Sequence, residues 1–377
     1  MIFFLNFAYC PNTAPENRMQ SYYHALDKIN VKATVVYIHP DNHYSRVHTL
    51  YKNISIEYLW NSYMLYRGPF RKLTLYRYIH KFKKRLKDGD IVYTYNVSLL
   101  TKMCEEIKGV RVFAERTEHP KASDGFPNPL LALSDPEIIM TLNNLTGLFV
   151  ISKPLKEYYE GLEIDPSKIH IINMTVDADR FMGIKKNPNS EKYIAYCGTA
   201  SNNKDGVDQL IKAFALVVKR HPEYKLYIIG STPSKKQRFD NYELVKELGI
   251  ESSVVFTGVI PAVQMPQMLK NAEILALDRP DNLQAKYGFP TKLGEYLLTG
   301  NPVVVTRVGD IPLFLKDGES ALLSDPNNAQ DFADKLCWAI EKPDKAKAIG
   351  ENGKKVAEQS FNNLTETQKI VNIILNK

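Results

Sequence analysis

At 377 residues, 44% hydrophobic and 24% charged, the chain is neither disordered nor fibrous in composition, and at roughly 150 residues per domain it is long enough for two cores. Four scattered cysteines, Cys10, Cys104, Cys197 and Cys337, lack the paired spacing of a metal site or a disulfide scaffold and are expected as buried thiols in a reducing compartment. The net charge of +7 admits nucleic acid, an anionic membrane or an acidic small substrate, so its distribution matters more than its sum.

The opening run "MIFFLNFAYC" is apolar, has no basic leader and is too short to span a membrane. It reads as a first buried strand of a cytoplasmic protein. "KATVVYIH" follows as a second strand. The charge excess is local: between Tyr66 and Lys87 the chain carries Arg67, Arg71, Lys72, Arg77, Lys81, Lys83, Lys84, Arg85 and Lys87, with no acidic residue until Asp88. Leu75, Ile79, Phe82 and Leu86 run through it at helical spacing, a stripe expected to face a core. The charge around that stripe suits an anionic membrane surface, at roughly 1 kcal/mol per basic residue close to the lipid. No RNA- or DNA-binding motif accompanies it, so nucleic acid is the weakest partner.

"DIVYTYN", "VRVFAE" and "LTGLFVIS" complete a first set of strands, and "KYIAYCG", "KLYIIG", "VVFTG", "EILALD" and "NPVVVT" form a second. Helical patterns separate them, which predicts two α/β domains with parallel sheets. The polar, turn-rich "KKNPNSEK" places a linker near residues 178–191, giving domains at 1–180 and 181–362. A last helix is expected over 363–377. Val207, Leu210, Ile211, Phe214, Val217 and Val218 mark a helix lying on the second sheet.

In "YGFPTKLGEYLLTGNPVVVT", Pro290 suits a first helical turn, and Gly300 with Pro302 ends the helix near Thr299. The head of such a helix is an anion site. Gly288 lets a ligand approach the backbone, Lys292 adds a cation, and Glu295, one turn further in, is placed to accept hydrogen bonds from sugar hydroxyls. "YCGTASNNKDGVDQLIKAF" repeats the arrangement, with a strand ending at Gly198, a polar loop at Thr199 and a lysine, Lys204. Loops after parallel strands converge on one crevice.

These runs, together with "VVFTGVIPAVQMPQMLKNAEILAL" and "VDADRF", resemble the nucleotide-sugar domain of family-four glycosyltransferases, retaining enzymes of the GT-B fold, almost continuously from Lys192 to Phe361. The resemblance implies two facing Rossmann-like domains, an acceptor on the first, a nucleotide diphosphate sugar on the second, and a final helix crossing back to the first domain. It implies that Lys204 binds the diphosphate, Glu295 the ribose, and Gly288, Phe289, Pro290 and Thr291 form the phosphate-facing helix head. Three positions depart from the pattern: Tyr287 stands where the family has a first glutamate, Thr199 where it often has an arginine, and "TAPENRMQ" replaces paired glycines after the first strand. In "ERTEHP" the family's histidine falls on Arg116, with Glu118 and His119 beside it as catalytic candidates. Arg18 is a candidate for the acceptor or the diphosphate. Neither "DGD" at residues 88–90 nor "DAD" at residues 177–179 reads as a metal site, so no obligatory metal or other cofactor is expected. The implied function is sugar transfer to a saccharide or lipid-linked acceptor in bacterial surface polysaccharide or glycolipid synthesis, on or near the inner membrane face. An epimerase of the same fold and a silent sugar-nucleotide binder remain alternatives.

Overall fold

The computed structural model describes residues 1–9, 13–39, 51–59, 71–96, 98–105, 107–122, 134–232 and 240–376. Cys10 and Arg67 lie outside them. The chain divides into two units, residues 1–175 with 363–377, and residues 176–362.

The first unit contains β1 (Ile2–Ala8), β2 (Ala33–His39), β3 (Ile54–Tyr58), β4 (Ile91–Tyr95), β5 (Arg111–Arg116), β6 (Gly147–Val150) and β7 (Ile169–Ile171). They form one parallel sheet in the order β3-β2-β1-β4-β5-β6-β7. The second unit contains β8 (Tyr193–Cys197), β9 (Lys225–Ile229), β10 (Val254–Gly258), β11 (Ile274–Leu277), β12 (Val303–Thr306) and β13 (Leu322–Ser324). Their order, β10-β9-β8-β11-β12-β13, is again all parallel. In each sheet the order reverses next to the first strand, between β1 and β4 and between β8 and β11, and that switch point is where doubly wound sheets open a ligand crevice.

All ten expected strands form. The three that sequence reading missed, β3, β7 and β13, are edge strands. A short or half-exposed edge strand lacks the continuous apolar run by which a buried parallel strand is recognised, and β13, though buried, is only three residues long. β3 and β7 show this directly, with mixed burial along "ISIEY" and "IHI".

The helix Arg71–Lys83 buries Leu75, Ile79 and Phe82. The expected stripe therefore faces the core. The opposite face exposes Leu73 and Tyr76 alongside Arg77, His80 and Lys81, with Lys84 continuing the same row. The last helix, Asn363–Ile374, sends Ile370, Val371 and Ile374 into the core of the first unit with Tyr22, Tyr23 and Leu26 of the helix Ala14–Lys28. Cys104, Cys197 and Cys337 are buried free thiols.

Arg18 departs from its expected role. It lies inside the first unit, 3% exposed, where Nε donates to Glu115, Nη1 to the carbonyl of Asn173 at 3.0 Å and Nη2 to that of Ile172 at 3.1 Å. Tyr22 and Tyr93 donate to the same carboxylate. Burial alone would lower the pKa of Arg18, but Glu115 and the two tyrosines around it raise it above its usual value. Its three nitrogens are committed to joining the helix Ala14–Lys28, β5 and the segment after β7, so the side chain is an internal strut and not a ligand contact. Glu115→Ala leaves that guanidinium buried without its counter-charge and is expected to destabilise the first unit by about 3–5 kcal/mol. Urea unfolding followed by circular dichroism checks this, and a loss below about 1 kcal/mol would contradict it.

Candidate functional site

The second unit assembles its crevice from two loops, one after β8 and one after β11. β8 ends at Cys197, and the loop Gly198 to Ser201 leads into the short helix Asn202–Asp205, whose start is capped by Ser201. Gly206 closes that helix at φ +60°, where an added Cβ would lie 1.8 Å from the carbonyl of Asp278, so glycine is required there. The loop after β11 enters the helix Leu283–Tyr287 and then the helix Thr291–Leu298, with Pro290 as its N-cap. The first backbone bond of the latter helix runs from Leu293 N–H to the Pro290 carbonyl at 3.1 Å. The amides of Thr291 and Lys292 therefore precede the helical ladder, as at any helix head.

Lys292 ties the two loops together. Its ammonium pairs with Asp205, sits 3.0 Å from the Tyr196 hydroxyl and 4.5 Å from the centroid of that ring. Asp205 is 4% exposed and accepts from the Tyr196 hydroxyl at 2.7 Å. Burial works against its charge, but Lys292, Arg279 and these hydrogen bonds hold its carboxyl below the usual range. Gly198 sits at φ +128°, a backbone conformation that favours glycine, and a Cβ there would also lie 2.7 Å from Lys292 Nζ. The expected cation at the helix head is thus engaged by a buried carboxylate and fastens the crevice wall.

The remaining expected residues divide by what their side chains touch. Glu295 is 19% exposed in its side chain and pairs with Arg180, on the 3₁₀ turn Ala178–Phe181. Lys204 is half-buried, and its backbone carbonyl accepts from Arg279 Nε at 3.4 Å. Thr199 is exposed, with its hydroxyl 3.2 Å from that of Ser231. Phe289 is buried against Phe314 and Phe361, with ring centroids 5.6 and 5.3 Å away, so only its backbone is available to a ligand. Gly288 and Pro290 are buried and Tyr287 is half-buried with Lys286 over its ring.

Sequence reading did not single out Asp205, Asp278, Arg279 or Arg180. Asp278, at the end of β11, is 1% exposed, and its Oδ2 meets no hydrogen-bond donor among the described residues. Burial, and secondarily Asp208, push its pKa up to about 8. Its neighbour Arg279 is also buried. A charged pair directly after a strand was the available signal.

The first unit places its candidates at the end of β5 and in the segment that follows it. Arg116 donates from Nε to the Tyr159 hydroxyl at 3.1 Å. His119 is buried, accepts the Lys121 amide at Nδ1 at 3.1 Å, and lies 4.3 Å from the Tyr158 ring. Burial, then Lys121 and Arg116, hold its pKa below the ordinary value. Glu118 is half-buried.

Comparison with known proteins agrees with this architecture. Residues 177–356 match the family model of glycosyl transferases group 1. The D-inositol 3-phosphate glycosyltransferase of Corynebacterium aurimucosum is 30% identical over 189 residues, 49% of this chain and 43% of that protein. The MMP alpha-(1->4)-mannosyltransferase of Mycolicibacterium hassiacum is 25% identical over 57% of this chain and 50% of that protein. The chain therefore spans about half the length of these curated relatives. In the fold, the Anabaena HepE structure in complex with UDP superposes with a TM-score of 0.75 at 16% identity, covering all of both chains. The sucrose-phosphate synthase of Thermosynechococcus elongatus does so at 0.77 and 17% identity, covering 100% of this chain and 98% of that one. The fold is that of the GT-B glycosyltransferases.

The raised pKa of Asp278 has a thermodynamic sign. The unfolded chain releases this proton near pH 4 and the folded chain near pH 8, so folding is progressively disfavoured as pH rises through that window. Asp278→Asn removes the ionisation while keeping the shape. It is expected to leave the melting temperature unchanged near pH 4 and to raise it by a growing margin up to pH 8, with no further gain above. Thermal melts across that range check this, and a pH-independent difference would contradict it.

Proposed function

From the glycosyl transferases group 1 domain at residues 177–356 we propose that this protein is a glycosyltransferase, moving a sugar from a nucleoside diphosphate sugar to a saccharide or lipid-linked saccharide. The observation that carries the reading is the joining of the Gly198 loop to the head of the helix Thr291–Leu298 at the sheet's switch point, with Glu295 one turn in. Diphosphate oxygens fit the Thr291 and Lys292 amides and the Lys204 ammonium, and ribose hydroxyls fit the Glu295 carboxylate. A helix head and a lysine stabilise the departing diphosphate's charge in the way a divalent ion otherwise would, so the proposal extends to metal-independent transfer. Retention of the anomeric configuration follows from the family resemblance, as does a role in bacterial surface polysaccharide or glycolipid synthesis. The acceptor is assigned to the first unit, with Arg116, Glu118 and His119 as candidates. A silent sugar-nucleotide binder is the second reading, favoured by Tyr287 in place of a glutamate.

The exposed row of Leu73, Tyr76, Arg77, His80, Lys81 and Lys84 supports contact with an anionic membrane from the cytoplasmic side: two apolar side chains can enter the headgroup region while the cations meet the lipid phosphates. No helix among the described residues is long and apolar enough to cross a membrane.

A thermal-shift screen against UDP-, GDP- and ADP-sugars tests the donor assignment. One nucleotide class is expected to stabilise the protein, by about 2.7 kcal/mol at a hundredfold excess over Kd, and both Glu295→Ala and Lys204→Ala are expected to lose most of that shift. No response at millimolar concentration would sink the reading, whereas stabilisation without turnover on any acceptor would favour the silent binder. For the membrane face, co-sedimentation with phosphatidylglycerol vesicles is expected, with the double change Lys81→Glu and Lys84→Glu weakening it by at least roughly tenfold. Equal binding to neutral phosphatidylcholine vesicles would count against it.

A further inference from the structure

The ion pair between Arg180 and Glu295 joins two segments 115 residues apart in sequence, and neither partner is there to satisfy a buried charge. The side chains are 35% and 19% exposed, so water could solvate either one alone. Both backbones are nevertheless fixed. Arg180 sits on the turn Ala178–Phe181, whose start is capped by the Asp177 carboxylate accepting from the Asp179 amide at 3.1 Å. Glu295 projects from a helix anchored by buried Leu293, Tyr296 and Leu297. The guanidinium engages Oε1, which gives the carboxylate a partner held on a second fixed backbone.

We infer that Arg180 is a positioning residue: by holding the Glu295 carboxylate in place it makes the nucleotide site select a ribose over a 2′-deoxyribose. The inference rests on the nucleoside diphosphate reading above and deepens it. An acceptor held where it meets a sugar hydroxyl favours the ligand that carries that hydroxyl, because the analogue lacking it forfeits a hydrogen bond to a charged group. A glutamate free to rotate turns to solvent instead, and the preference disappears.

Isothermal titration of the full chain with UDP, GDP and ADP, and with the 2′-deoxy counterpart of each, tests this. The unaltered chain is expected to prefer the ribonucleotide of one base. Arg180→Ala is expected to weaken that ribonucleotide about tenfold while changing the deoxynucleotide little, so the preference shrinks by the same factor. Lys204→Ala, which removes a phosphate contact, is expected to weaken both alike and leave the ratio in place. If Arg180→Ala does not fold, Arg180→Met keeps the apolar stem and gives the same readout. A ratio unchanged in the Arg180 variant overturns the inference while leaving the donor reading intact. Failure of the unaltered chain to bind any of the six nucleotides overturns the donor reading and this inference with it.

Discussion

The buried ion pair of Lys292 and Asp205 is the constraint on which the second unit's crevice depends. It joins a four-residue helix after β8 to an eight-residue helix before β12, and neither segment is long enough to hold its position by its own hydrogen bonds. Burying a carboxylate this deeply is unfavourable unless cations and donors surround it. Here Lys292, Arg279 and the Tyr196 hydroxyl do so. The same arrangement explains two glycines. Gly198 leaves room for the ammonium, and Gly206 lets the chain turn against the Asp278 carbonyl.

Once the loops are fastened, the chemistry at their meeting point follows. The helix head offers amides, Lys204 a charge, and Glu295 an acceptor whose orientation is set by Arg180. Lys204 and Glu295 each sit on a helix and not on a loop tip, which suits the proposed recognition of a diphosphate and a sugar ring together. Asp278 and Arg279, buried directly behind the Gly206 turn, add polar groups at the base of the crevice. In the first unit the corresponding polar investment is internal. Arg18 and Glu115 with two tyrosines cross-brace helix and sheet, while the last helix completes the core beside Tyr22 and Tyr23.

The two units therefore differ in how far their sequence can be read. In the second, glycine and proline positions mark loops whose geometry only those residues permit, and Gly198, Pro290 and Glu295 could be named from local pattern. In the first, Arg18 was a candidate for the acceptor or the diphosphate because nothing nearby in sequence shows that Glu115 and the Asn173 and Ile172 carbonyls close around it. The burial of the Phe289 side chain was equally illegible, since Phe314 and Phe361 that cover it lie well downstream.

What the sequence determined by itself were the features set by local energetics: ten strands, the amphipathic helices, the helix head at Pro290 and the alternation that makes both sheets parallel. Hydrophobic period and turn chemistry act over a few residues, so they are written into short stretches. The tertiary structure alone decided which charges are engaged. Lys292 became a fastening for Asp205, Glu295 acquired Arg180, and Arg18 went into the core, because ion pairing depends on distances of a few ångströms between segments far apart along the chain.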